Sequence, residues 1–250
     1  MFHLALLSAM PQEIGETKKH LRNIKEYKFG DLNVSTGVWD HPLKKEPIFI
    51  SLAWSGWGKV SSSRAITRII SLSEKNSPID LILFAGVAGG ISKNLNQWDI
   101  IIAKELVQYD MDASPLYKKY EIPSLNKIYL KADRVWSEKI FTLLKNKVTP
   151  LKTNFFNETF FELIGTADRF ISDKDDVNQL VESFPNIFAV EMEGAAVAQV
   201  AIQENIPFVI IRVISDNANE DSEIDFNKFL GDYKIQSWEL INAILLEIND

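Results

Sequence analysis

The chain has no cysteine among its 250 residues, which excludes a disulfide frame, a thiolate nucleophile and any cysteine-based zinc site. Histidine is nearly as scarce. His3, His20 and His41 all lie near the N-terminus without HxxxH spacing, leaving little basis for a histidine metal cluster or a histidine-dependent triad. A basic stripe is also missing: the formal charge is −7, with acids and bases mixed along the chain, so nucleic acid is not an expected partner. No apolar run approaches the roughly 18 residues of a membrane span. The opening Met1-Phe2-His3-Leu4-Ala5-Leu6-Leu7 is apolar, but it lacks a basic leader and meets Gln12-Glu13 too soon for a signal peptide. A cytoplasmic address is the expectation. Chemistry must rest on carboxylates, arginine, serine and the backbone.

What is present is a regular alternation of apolar strands and amphipathic helices, with 46% hydrophobic residues, 11 scattered glycines and 9 scattered prolines. No linker, low-complexity tract or repeat interrupts it, so residues 1–250 are expected to form one domain around one sizeable core. Strands are expected over 2–7, 48–53, 81–85, 100–103, 187–190 and 209–214, mostly continuous runs suited to burial on both faces. Helices are expected over 11–21, opened by Pro11, and 59–72, where Val60, Ala65, Ile66, Ile69 and Ile70 follow a 3.6-residue period. Two more are expected over 192–203 and over 226–248, the last capped by Asp225. Residues 110–123 read as a long loop. The fold class is α/β, a three-layer α/β/α sandwich with a central mixed sheet.

Four segments place acids or glycines where strands end, the edge at which ligands bind in open α/β sheets. The run Val209 to Asn219 delivers Arg212, Ser215 and Asp216 to the end of a buried strand. Desolvation there would raise the Asp216 carboxyl toward values useful for proton donation, whereas an Arg212–Asp216 ion pair would depress it. Ala9-Met10-Pro11-Gln12-Glu13 puts Glu13 in the first turn of a helix, as a site acid or as compensation of the helix dipole. Gly86-Val87-Ala88-Gly89-Gly90 either lets backbone amides approach a ligand or makes a tight turn. Without Ser or Lys it is not a Walker-type phosphate loop. In Glu191-Met192-Glu193-Gly194, carboxylates can accept hydrogen bonds from paired hydroxyls such as those of a ribose, and a methionine packs against a flat ring.

In this order the segments resemble the 5′-methylthioadenosine/S-adenosylhomocysteine nucleosidases of the nucleoside phosphorylase and hydrolase superfamily. The resemblance spans nearly the whole chain. It rests on Ala9-Met10-x-x-Glu13, Ser55-Gly56-Trp57-Gly58-Lys59-Val60, Gly86-Val87-Ala88-Gly89-Gly90, Asp168-x-Phe170-Ile171, Val190-Glu191-Met192-Glu193 and Arg212-x-Ile214-Ser215-Asp216. It implies a nucleoside phosphorylase-like fold and hydrolysis of the bond between adenine and ribose C1′. Asp216 would protonate adenine N7, and Glu13, helped by Arg212, would orient and deprotonate the attacking water. Glu193 would hold the ribose hydroxyls with Met192 alongside, and Phe170 and Ile171 would read the adenine. Val87, Ala88, Gly89, Glu191 and Ser215 complete the implied substrate contacts, with no metal or organic cofactor required.

The chain departs from the family's pattern at three places. Val87 stands where such enzymes often carry Ser or Thr, which costs a polar contact near the water and also argues against phosphorolysis. Thr166-Ala167-Asp168 replaces Ser-Gly-Asp and is expected to alter turn geometry more than chemistry. Trp57 replaces a small or aliphatic residue facing the 5′ substituent; it either reshapes that pocket or packs in the core. Met10 and Phe226 fit the apolar wall around the tail. The family's 5′ subsite is completed by a second subunit, which implies a homodimer with the loop over 110–120 reaching the neighbouring pocket. Two rival readings stand beside hydrolysis of 5′-methylthioadenosine, S-adenosylhomocysteine and 5′-deoxyadenosine: a hydrolase for futalosine or its 6-amino analogue, and a binding or storage protein without turnover. The joint presence of Glu13, Glu193 and Asp216 speaks against the latter.

Overall fold

A computed structural model of the chain describes residues 1–73, 77–145, 155–218 and 222–248, with side chains from 226 onward in the last span. Ten strands in these residues form one mixed sheet: β1 (His3–Ser8), β2 (Arg22–Phe29), β3 (Leu32–Trp39), β4 (Ile48–Trp54), β5 (Leu81–Gly90), β6 (Ile100–Gln108), β7 (Tyr129–Lys131), β8 (Thr159–Thr166), β9 (Ile187–Glu191) and β10 (Phe208–Asp216). Along the sheet the order is β10-β6-β8-β9-β5-β1-β4-β3-β2. β10 also pairs with β5, so β5, β10, β6, β8 and β9 close on themselves while β1, β4, β3 and β2 extend outward. β5 is the seam, parallel to both β1 and β10.

Period-2 alternation divides the core between the two faces of this sheet. On β1, Ala5 and Leu7 join one buried cluster and Leu4 and Leu6 the other; on β10, Ile210 and Ile214 join the first and Val209, Ile211 and Val213 the second. The first face is covered by α2 (Lys59–Ser73) and α5 (Gly194–Gln203), which pack on one another. The second is covered by α3 (Arg134–Lys145), the short α1 (Pro11–Ile14) and the long α6 (Ser222–Ile248). α4 (Lys174–Ser183), capped by the Asp173 carboxylate on the amides of Asp175 and Asp176, closes a third, smaller cluster. The expected layers and mixed sheet are therefore present.

All six expected strands form, four within two residues of their expected bounds while β5 and β6 each run five residues further, and three readings need correction. The helix after β1 ends at Ile14 and continues as a 3₁₀ helix over Gly15–His20. Within that 3₁₀ helix only Thr17 is buried. The last helix opens at Ser222, so the backbone of Asp225 lies inside it rather than at its cap; the Asp225 side chain is outside the described residues. The glycine segment 86–90 is no turn, because β5 runs straight through it.

Candidate active site

The carboxyl ends of β1, β8, β9 and β10 meet the glycine stretch of β5 at one cleft. Including the space open at its mouth, it measures about 460 Å³ and is lined by Ala9, Met10, Glu13, Trp57, Val87, Ala88, Gly89, Phe170, Val190, Glu191, Met192, Glu193, Ser215, Asp216 and Phe226. A narrower recess of about 250 Å³ shares six of these residues and adds Arg169 and Ile171. The structure thus gathers every sequence-proposed site residue at this cleft or its recess except Arg212. Ala9 and Val190 line it without having been singled out.

Glu13 is buried, and its position is set by the backbone. One carboxylate oxygen accepts the Met10 amide at 2.7 Å, closing a capping box on α1, and the other accepts the Val87 amide at 3.0 Å. Burial pushes its carboxyl up to about 7, against the opposing charge of Arg212 and the amides of Met10 and Val87. Gly86 makes this position possible, since a Cβ there would stand 2.6 Å from Glu13 Oε1 and 3.2 Å from Arg212 Nη1. The space freed by the glycine is filled by the protein's own carboxylate. Gly89 does the same for Asp216, where a Cβ would come within 3.1 Å of Oδ1.

Asp216 ends β10, 3% exposed. Its Oδ1 accepts the Ala218 amide at 2.9 Å, and Oδ2 accepts the Ser215 hydroxyl at 2.7 Å. Arg212 is not its partner. The guanidinium, fully buried behind the cleft wall, donates from Nη2 to Glu191 Oε2 at 2.5 Å and from Nη1 to the Ile211 carbonyl at 3.0 Å, and it lies 4.3 Å over the Phe84 ring. The Arg212–Asp216 pair considered from the sequence is thereby corrected. Arg212 occupies a strand position between Ile210 and Ile214 on one face of β10, and a lone charge at an apolar register position was a visible mark of a buried partner.

That partner, Glu191, faces inward, and the two acids of Glu191-Met192-Glu193 have different surroundings. The Glu191 carboxylate accepts the Thr166 hydroxyl on one oxygen, and on the other the amides of Glu193 at 3.1 Å and Gly194 at 2.7 Å together with Arg212. Glu193, the N-cap of α5, sends its carboxylate to the cleft, where Oε1 accepts the Gly58 amide at 2.7 Å. Burial, followed by the charge of Glu191, pushes Glu193 up to about 8.

Trp57 sits between Gly56 and Gly58, both in the left-handed region at φ +81° and +92°. This turn holds the indole 56% exposed at the mouth, so its core-packing reading is overturned. It meets Phe226 edge to face at 6.3 Å, and Phe226 meets Phe170 likewise at 6.0 Å. The turn is tied down behind: Asp168 Oδ1 accepts the Lys59 amide, Lys59 Nζ donates to Asp110 at 2.6 Å, and Asp110 accepts the Asp168 amide. Among the described residues no cluster of three or more metal-ligating side chains occurs, and no helix is long and apolar enough to cross a membrane.

Residues 3–245 match the phosphorylase superfamily. A 5′-methylthioadenosine/S-adenosylhomocysteine nucleosidase from Anoxybacillus flavithermus is 30% identical over 248 residues, 99% of each chain. The chain belongs to the 5′-methylthioadenosine/S-adenosylhomocysteine nucleosidase family. Solved structures agree. An S-adenosylhomocysteine nucleosidase from Streptococcus pyogenes in complex with 5-methylthiotubericidin superposes with a TM-score of 0.85 at 26% identity, covering 99% of this chain and 97% of that one. A futalosine hydrolase from Helicobacter pylori superposes at 0.84 and 27% identity, covering 99% and 98%. Nucleosidases of this family and the cleft described above therefore share one frame.

Proposed function

We propose that this chain hydrolyses the N-glycosidic bond of adenine nucleosides whose 5′ substituent is joined through sulfur, 5′-methylthioadenosine and S-adenosylhomocysteine, as a single domain over residues 1–250. The observation that carries this reading is the convergence of three separately held carboxylates, Glu13, Glu193 and Asp216, on one cleft with an aromatic mouth. Asp216 gives a proton to adenine N7 as the bond from C1′ to N9 breaks, and adenine leaves neutral instead of as an anion. Positive charge builds on the sugar ring. Glu13 takes a proton from water as its oxygen bonds C1′, completing a 5-substituted ribose. A carboxyl near 7 is poised for this, holding or releasing a proton close to neutral pH.

Glu193 accepts the ribose hydroxyls, with Met192 against the sugar, while Phe170 and Ile171 bound the adenine recess. Arg212 acts behind them as a positioning residue through its charge on Glu13 and its bond to Glu191. Val87 supplies an amide to Glu13 and no hydroxyl, which favours water over phosphate as the nucleophile. Leu116 and Tyr117, 85% and 42% exposed in the 110–120 segment, support a homodimer in which this segment completes the neighbouring 5′ subsite. A cytoplasmic address goes with the reading. Hydrolysis of futalosine or its 6-amino analogue is the second reading, favoured by the equally good superposition on a futalosine hydrolase.

The test is adenine release from 5′-methylthioadenosine, S-adenosylhomocysteine, 5′-deoxyadenosine and 6-amino-6-deoxyfutalosine, with and without phosphate. Phosphate-independent release from the thio-nucleosides is expected. Fastest release from the futalosine analogue would move the chain to the second reading, and binding without release would make it a binding protein.

A further inference from the structure

Thr166 lies at the end of β8, paired in register with Glu191 of β9. The sequence suggested that the change at this position acts on a turn. It belongs instead to a strand, and the hydroxyl lies inside the charged cluster. Thr166 is fully buried, and its oxygen has partners in both capacities: it donates to Glu191 Oε1 and accepts the Ala195 amide at 2.9 Å. Glu191 Oε2 takes the amides of Glu193 and Gly194 and the Arg212 guanidinium. One hydroxyl therefore fixes the carboxylate that holds the first turn of α5, and Glu193 is the cap of that turn. Gly194 leaves no slack, since a Cβ there would stand 3.1 Å from both Glu191 oxygens and 2.9 Å from Leu106.

We infer that Thr166 is a positioning residue that sets, through Glu191 and the start of α5, where the Glu193 carboxylate meets the sugar hydroxyls. The inference rests on the ribose role proposed for Glu193. Replacing the hydroxyl by a methyl group leaves Glu191 Oε1 without its donor and the Ala195 amide without its acceptor, which costs more than the lost bond alone. Glu191 then turns, and Glu193 moves with its backbone. Thr166→Ser keeps both bonds and is expected to behave as the wild type.

The experiment compares kcat/KM for 5′-methylthioadenosine and its 2′-deoxy analogue in the wild type, Thr166→Val and Thr166→Ser. Thr166→Val is expected to lower the preference for the 2′-hydroxyl about tenfold, a share of one hydrogen bond to a charged group, and Thr166→Ser is expected to restore it. An equal loss on both substrates, or none, would overturn the inference and leave Thr166 a packing residue. If Thr166→Val does not fold, the ratio in Thr166→Ala, with Thr166→Ser as the hydroxyl-bearing control, decides in the same way. If the wild type binds both nucleosides without cleaving either, the proposed activity fails, but the same ratio taken from calorimetric Kd values still tests the linkage.

Discussion

The inner and outer halves of the cleft are built by different means. Inside, Glu13, Glu191 and Asp216 each take two or more hydrogen bonds from amides, hydroxyls or a guanidinium, and all three are buried at strand ends or at the first turn after a strand. Outside, Trp57 and Phe170 are 56% and 43% exposed, and with Phe226 they meet only edge to face. Desolvated charges in a low-dielectric wall cannot shift without large cost, whereas rings at a solvent boundary can trade positions cheaply. The division suggests that reaction chemistry belongs to the rigid half and choice of 5′ substituent to the loose one.

The hardest way to break the inner half is to remove its proposed acid. Asp216→Asn keeps shape and burial and should lower kcat/KM for 5′-methylthioadenosine by about 10³, within the span of general acid catalysis, while calorimetry finds the nucleoside still bound. Gly86→Ala acts indirectly by driving a methyl group toward Glu13 Oε1. We expect about 10² in kcat and a loss on the order of 2 kcal/mol in denaturant unfolding, as for an overpacked site; an unchanged enzyme would mean that Glu13 is free to move.

Glu13 also links activity and stability to pH in opposite directions. Its folded carboxyl is raised from 4.5 to about 7, so the native state binds the proton more tightly than the unfolded chain does. The associated stability is fully present below about pH 4.5 and is lost as pH rises through about 7, on the order of 3 kcal/mol in all. With Glu13 as the proposed base, hydrolysis should rise over the same window in which unfolding becomes easier. Glu13→Gln should abolish turnover and remove its own share of the stability slope, leaving the share of Glu193, whose carboxyl is raised to about 8. Parallel rather than opposed curves would remove Glu13 as the base.

The smallest expected effect lies at the mouth. Trp57→Ala should change the ranking of 5′ substituents by about tenfold, the scale of a few methylene contacts, with little change for 5′-deoxyadenosine.

Much of this was legible in the sequence because buried strands announce themselves as unbroken apolar runs, and 209–214 even displayed Arg212 as the odd member of its face. β2 was not legible: its Arg22, Lys25, Glu26 and Lys28 are those of a solvated edge strand, and its hydrophobic residues are too few to mark a face. β8 was hidden by Glu162 and Gly165, which interrupt its apolar pattern. Within the site, residue types pointed to Glu13, Asp216 and the pair Glu191 and Glu193, and only the family resemblance separated the two members of that pair. That difference arises from long-range partners, Gly58 for one and Thr166 with Arg212 for the other, which sequence spacing does not reveal.

The most direct test of the division between the two halves is kcat/KM for 5′-methylthioadenosine and for 5′-deoxyadenosine, measured in phosphate-free buffer on the wild type, Asp216→Asn and Trp57→Ala. The account predicts that Asp216→Asn lowers both values by the same factor of about 10³, and that Trp57→Ala alters their ratio while the deoxy substrate keeps its rate. Undiminished turnover in Asp216→Asn, or an equal loss on both substrates in Trp57→Ala, would contradict it.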